Sequence, residues 1–539
     1  MSSGSNAQAL SNVVLITLDT TRADHLGCYG YSRNTTPHID RFSRDAILFS
    51  NAFSVIPLTT PSHASILTGL HPATHQVYRN SIPIPGEFTM LAEIVKKQGY
   101  KTAGFVSVKI LESRLGFSQG FDHFSDVPES KRGADFTRDD TLAEQLGSMF
   151  LLQRRGDRTV EEALSWLEQG MGDPFFLWLH LYDPHLAYIP PKDYGLQFNS
   201  DYDAYLDSIS GPFVRLLAYA DQRGYGMREG GWDDTPDTVK GFRAFFNLLG
   251  FMTSRLRTSE SVSPDLVDDF IAAYDGEIAF VDEQVGRVFQ FLKEYGVYEE
   301  TLTIVMGDHG EILHEKEDYF GHHKYLYRGS MHIPLIIKVP GMQPRIIDER
   351  ITTVDVLPTL LNALGIEVKN EMDGVSYWPL LASDSEVERP KTLFYGTHSG
   401  QNRQRGGKKR SDTEVHFVRI RTFIIRFIAH IKNLFIKVFH IKSRWRITDH
   451  FDKMAVIDNE WKLIRNDHSG KRRDITYELY NMKEDPGEVN NLIDTEVEVS
   501  AEMKRLMVDF INTKRFWITP KTKDQTEEEI RTLRSLGYM

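Results

Sequence analysis

The chain has 539 residues, a net charge of −12 and a single cysteine, Cys28. The acidic balance argues against general nucleic-acid binding, which needs a basic face, and one cysteine excludes an intrachain disulfide and a four-cysteine zinc site. Hydrophobic residues at 41% and charged residues at 26% fit an ordinary globular protein, long enough for one large α/β domain and a smaller one.

The first twelve residues are small and polar, without the basic and apolar regions of a signal peptide. Val13 to Leu18 is a short β-branched apolar run that predicts a buried parallel strand ending in Asp19. A helical pattern follows over Ile39–Phe49. Pro57 to Gly69 reads as a loop entering a helix, with Pro61 in its first turn. A helix over Met90–Gln98 precedes a strand over Thr102–Val106. Phe175–Leu181 is a third strand and runs into Tyr182, Asp183, Pro184 and His185. A long amphipathic helix over Asp269–Tyr295 leads to a strand at Leu302–Met306, then to Gly307-Asp308-His309-Gly310. Pro334–Val339 is another strand.

Strands alternating with helices predict an α/β fold, a mostly parallel sheet sandwiched by helices. The chemistry of such sheets lies at the carboxyl ends of the strands. Asp19, Asp183, Asp308 and His309 all follow strand-like runs directly. Three segments are expected: a catalytic domain over 1–399, a basic insertion over 400–450 and a small α+β subdomain over 451–539. Within the first, 200–265 reads as a helical insertion that covers the site. The last contains strand-like runs from Met454 and a helix over 525–536.

Asp19, Asp308 and His309 form an oxygen–oxygen–nitrogen set suited to one divalent ion, zinc or manganese before calcium. Each also reads plausibly as a helix cap or surface residue. Thr59 and Thr60 stand at a helix start, where N–H groups hold an anion and a metal-touching hydroxyl becomes a nucleophile. Simple N-capping explains them equally well. Glu277 and Asp282 read as structural.

Several ordered motifs bear on the choice. They are LDTTRADHLGCYGY at 18–31, TTPSHASILTG at 59–69, YDPHLAYIPP at 182–191, GDHGEILHE at 307–315, FGHHKYLYRGSMHIPLIIKVPG at 320–341 and ELYNMKEDPGEVNNL at 478–492. Together they resemble the sulfatases of the alkaline phosphatase superfamily. The resemblance implies that fold, an ester hydrolase activity, a divalent metal and an anionic phosphate or sulfate ester substrate. The position that sulfatases oxidise to formylglycine is Thr59 here, and threonine cannot be converted that way. The family's following arginine is His63, and the second aspartate of its usual opening pair is Thr20.

A threonine nucleophile with Asp, Asp and His resembles the phosphate-handling relatives. Phosphodiester or phosphomonoester cleavage is therefore expected, through a covalent intermediate on Thr59. The resemblance implies metal contacts from Asp19, Asp308, His309 and Thr59. It implies leaving-group contacts from His185 and His322, and substrate contacts from Thr60, His63, Asn80, His323 and Lys324. A second metal held by Asp183, His185, His322 and His323 is the alternative to a single ion, and a solvated basic turn is the alternative for His323 and Lys324. Other readings of the whole chain are a sulfatase without formylglycine, a lipid-headgroup phosphotransferase and an inactive anion-binding protein.

Residues 415–445 carry a narrow polar stripe on a helix otherwise of Ile, Phe, Leu and Val. Thirteen Lys/Arg and two acidic residues lie between Arg403 and Arg446. This pattern suits a helix lying in an anionic membrane surface, or one buried against the core or a second subunit. No uncharged apolar run reaches the roughly 18 residues of a spanning helix. A cytoplasmic protein with peripheral membrane contact is expected, with a homo-oligomer as a further option.

Overall fold

The computed structural model describes residues 12–127, 153–170, 173–186, 188–206, 264–316, 320–323, 325–367, 371–383, 385–387, 392–396, 453–467 and 475–513. The elements that position the site begin with β1 (Asn12–Leu18), α1 (Pro37–Ser43), β2 (Ile47–Phe49), α2 (Thr59–Thr68), α3 (Leu91–Lys96), β3 (Lys101–Val106) and β4 (His123–Ser125). Next come α4 (Gly156–Gly170), β5 (Phe175–Leu181), α5 (Pro264–Glu294), β6 (Thr301–Gly307), β7 (Leu335–Lys338), β8 (Arg345–Ile347) and α6 (Val356–Ala363). The C-terminal part adds β9 (Thr392–Tyr395), β10 (Lys453–Asp458), β11 (Trp461–Asp467), β12 (Ile475–Asn481) and α7 (Val497–Thr513).

Eight strands form the main sheet in the order β8-β2-β7-β6-β1-β5-β3-β4. All pair in parallel except β7, which runs antiparallel to β6 and to β2. Strand β1 sits at the centre, and its side chains alternate between two cores. Val13 and Leu15 pack with α2, α3 and α6 on one face; Val14, Ile16 and Leu18 pack with α4 and α5 on the other. Coverage on both faces is why β1, β5 and β6 are mostly apolar runs rather than alternating ones.

Register fixes the site. Leu18 pairs with Leu181 on one side and Gly307 on the other. Asp19 and Asp308, each the next residue, therefore emerge side by side at the carboxyl edge of adjacent strands.

The helix expected over 39–49 ends at Ser43 instead, and Ile47–Phe49 is a strand. Ile47 and Leu48 pair with β7 and β8, so tertiary pairing overrides a short local pattern. Helix α7 corresponds to no element predicted from the sequence. The expected helix over 525–536, the basic stretch over 415–445 and all but the ends of the 200–265 insertion lie outside the described residues. Among the described residues no helix is long and apolar enough to cross a membrane.

A second, antiparallel sheet has the order β9-β10-β11-β12. Its first strand precedes the basic stretch, so the small sheet is assembled from both sides of it. Buried Lys462 on β11 pairs with buried Glu488 at 2.5 Å. Glu488 also accepts from the Arg328 backbone N–H at 2.5 Å, and its carbonyl accepts from Lys316. The small sheet is thereby clasped to the loop that follows the Asp308 motif. Leaving a buried lysine without its partner costs roughly 3–5 kcal/mol. Glu488→Ala should lower the thermal unfolding midpoint by several degrees, and an unchanged midpoint in calorimetry would contradict this clasp.

Candidate active site

Asp19, Asp308 and His309 offer one ligand atom each, all within 4.8 Å of one another, and all three are fully buried. Their free valences face inward. Asp308 Oδ1 accepts from the Thr20 and His309 backbone N–H groups at 3.2 and 2.7 Å, leaving Oδ2 without a hydrogen bond. Asp19 Oδ2 lies 3.2 Å from His180 Nε2, leaving Oδ1 without one. His309 Nδ1 is 3.0 Å from the Gly310 carbonyl, an acceptor, so Nδ1 carries the proton and Nε2 the lone pair. That Nε2 is 3.4 Å from Asp308 Oδ2 and 4.0 Å from Asp19 Oδ1.

Three electron-pair donors thus converge in a buried space, an arrangement that a divalent cation resolves. In the metal-free protein, burial and then the nearby Glu311 hold Asp19 well above the usual carboxylate range. Burial and then Asp19 do the same to Asp308. No other such cluster occurs among the described residues. Asp183, considered for a second metal, accepts from the Gly156 backbone at 3.0 Å and caps α4 instead.

Thr59 opens α2, and its Oγ1 lies 3.4 Å from His309 Nε2. Asn80 Oδ1 accepts from the Thr60 N–H at 2.9 Å, so that N–H is not free for an anion. The Asn80 amide nitrogen is buried and has no partner, which leaves it available as a donor. Thr60 Oγ1 donates to the Ile110 carbonyl at 2.8 Å, so that hydroxyl faces protein. His63, expected to touch substrate, spends both ring nitrogens inside the protein: Nδ1 is 2.9 Å from the Thr59 carbonyl and Nε2 is 3.0 Å from Thr17 Oγ1. Burial holds it neutral. Thr20 turns away from the metal ligands; its hydroxyl donates to Pro184, and its φ of +48° is strained for a β-branched residue.

Further imidazoles extend from buried His309 to exposed His323. The His309 and His322 ring centres are 4.5 Å apart, His322 and His185 5.1 Å, and His322 and His323 6.0 Å. His309 and His322 are buried, His185 half-buried and His323 exposed. Lys324 lies outside the described residues. His322 Nδ1 is 2.9 Å from Glu311 Oε1, which orients its Nε2. Burial pushes His322 down to about 3, so the neutral ring presents a lone pair.

Two residues here were not singled out in the sequence: His180, which steadies Asp19, and Glu311, which steadies His322. His180 hides inside an apolar strand, and its polarity there was the available signal. Glu311 lies two residues beyond His309, in a motif read only for its metal ligands.

The sulfatase family profile matches residues 11–366. The chain belongs to the sulfatase family. This sulfatase-family chain is 25% identical over 433 residues to an arylsulfatase of Clostridium perfringens, covering 72% of this chain and 81% of that protein. It is 26% identical over 438 residues to a multifunctional alkaline phosphatase superfamily protein, PehA, of Trinickia caryophylli, covering 71% and 79%. Its fold is similar to the phosphonate monoester hydrolase of Agrobacterium radiobacter, with a TM-score of 0.63 at 20% identity over 93% of this chain and 96% of that one. The mostly parallel sheet with a separate small sheet is therefore the alkaline phosphatase and sulfatase fold.

Proposed function

We propose that this sulfatase-family hydrolase cleaves a phosphorus ester through a covalent intermediate on Thr59. The observation that carries the proposal is Thr59 itself: a hydroxyl that cannot become formylglycine, buried at the start of α2 and 3.4 Å from His309 Nε2.

Asp19, Asp308 and His309 would hold one divalent ion, zinc or manganese suiting the nitrogen donor, and it would acidify a hydroxyl and neutralise a non-bridging oxygen. Thr59 Oγ1 attacks phosphorus in line. The Oγ1–P bond forms as the bond to the leaving oxygen breaks. The Asn80 amide N–H supports charge on the anion. His322, oriented by Glu311, takes the Thr59 Oγ1 proton at Nε2 as the Oγ1–P bond forms and delivers it to the departing oxygen, which leaves as the alcohol. His185, half-buried with its ring centre 5.1 Å from that of His322, is the second group assigned to the leaving oxygen. Water then releases the phosphoryl group from Thr59. An alcohol in place of water would make the chain a transferase with the same first step. A sulfate ester is the second reading, favoured by relatives named as sulfatases.

A matched panel tests this: aryl sulfate, aryl phosphate, aryl phosphodiester and phosphonate ester, offered to metal-stripped protein with zinc, manganese or calcium restored. The expected result is metal-dependent turnover of a phosphorus ester at least about tenfold above aryl sulfate, a difference of about 1.4 kcal/mol in barrier. Turnover of sulfate alone would overturn the preference, and silence on every ester would favour an anion-binding protein.

A further inference from the structure

A buried hydrogen-bond chain reaches Thr59 from the core, and its polarity is set by its first member. Trp178 Nε1 on β5 lies 3.1 Å from Thr17 Oγ1 on β1. An indole nitrogen only donates. The Thr17 hydroxyl therefore accepts from Trp178. Its own proton goes to its other partner, His63 Nε2, at 3.0 Å. A neutral imidazole that accepts at Nε2 carries its proton on Nδ1.

His63 Nδ1 faces two acceptors, the Thr59 carbonyl at 2.9 Å and Asp308 Oδ2 at 3.6 Å. The Nδ1–H tautomer agrees with every one of these contacts. The opposite tautomer would turn a lone pair on two oxygens and leave Thr17 with two donors and no acceptor. Trp178, Thr17, His63 and Thr59 are all fully buried, so water cannot substitute for a lost partner.

We propose that His63 is a positioning residue for Thr59, locked as the Nδ1–H tautomer by the Trp178–Thr17 pair. The proposal rests on Thr59 being the nucleophile. Thr17 lies two residues before Asp19 on the same strand. The relay thus ties the first turn of α2 to the strand that carries a metal ligand. It fixes where Thr59 Oγ1 sits relative to Asp19 and Asp308.

The test uses the full chain. Ring ¹⁵N spectra of histidine-labelled protein, with the His63 signal assigned from His63→Asn, should show Nδ1–H. An Nε2–H or doubly protonated ring would overturn the relay. Thr17→Val keeps the shape and removes the hydroxyl. It should lower kcat ten- to a hundredfold, roughly the cost of a sub-ångström to 1 Å misplacement, with KM and zinc affinity within about threefold of the parent. His63→Asn, which keeps a donor near the Nδ1 position, should retain more kcat than His63→Leu. Parental kcat in Thr17→Val, or equal kcat in the two His63 variants, would overturn the proposal. Thr59→Ala measured alongside separates the two failures. Full activity there removes the nucleophile, whereas an inactive Thr59→Ala beside an unaffected Thr17→Val removes only the relay.

Discussion

Thr59→Ala is expected to lower kcat by roughly 10⁴-fold or more, the scale seen when an enzymatic nucleophile is removed. Thr59→Ser, which keeps the hydroxyl, should stay within about a hundredfold of the parent. The contrast follows from the chemistry: Thr59 is buried, and alanine leaves no hydroxyl at the start of α2. The check is steady-state turnover of the best ester from the panel, with mass spectrometry of quenched protein for a covalent adduct. An adduct on Thr59 in the parent and none in Thr59→Ala is the expected pair of results. Thr59→Ala with parental turnover would refute the nucleophile role and with it the proposed mechanism.

Asp308→Asn should separate stability from metal binding. In the metal-free protein Asp308 and Asp19 both have raised pKa values, Asp308 through burial first and Asp19 second. A folded pKa above the unfolded value means that the folded state binds the proton more tightly. The resulting stability is complete below the unfolded carboxylate pKa of about 4 and is lost as pH rises through the folded values. Metal-free protein should therefore become less stable as pH rises above about 4.

Asparagine at 308 keeps an oxygen for the Thr20 and His309 N–H groups but cannot ionise. Metal-free Asp308→Asn should be more stable than the metal-free parent at pH 8, and the gap should shrink by pH 5. Zinc should stabilise the parent by about 2.7 kcal/mol at a hundred times its Kd and leave the variant nearly unmoved. Thermal midpoints with and without zinc at the two pH values decide it. A variant less stable than the metal-free parent at pH 8, or one that zinc still stabilises fully, would refute the assignment.

Much of this was readable along the chain. The apolar run before Asp19 and the Leu302–Met306 run before Asp308 predicted buried strands, and both strands occur within one residue of those bounds at each end. They were readable because a strand covered on both faces reads as a near-continuous apolar run rather than an alternating one. The cluster of Asp19, Asp308 and His309 followed from what comes directly after such strands. The threonine at 59 was also visible in the sequence.

Other features depended on partners distant in sequence. Ile47–Phe49 continued a helical pattern locally and became a strand only because β7 and β8 pair with it. Asp183 and Asp308 both follow strands and look alike in sequence, yet Asp183 caps α4 while Asp308 clusters with Asp19 and His309. His63 lies four residues from Thr59 and looked like a substrate contact. Only the approach of Thr17 and Trp178 from two other strands shows both of its nitrogens occupied. His180 and Glu311 acquire their roles in the same way, from Asp19 and His322. Residue type and period determine which segments are buried and which groups can do chemistry. The direction in which a buried polar atom points is set by whichever donor or acceptor the fold brings within about 3 Å, and that partner is chosen by packing across the whole sheet.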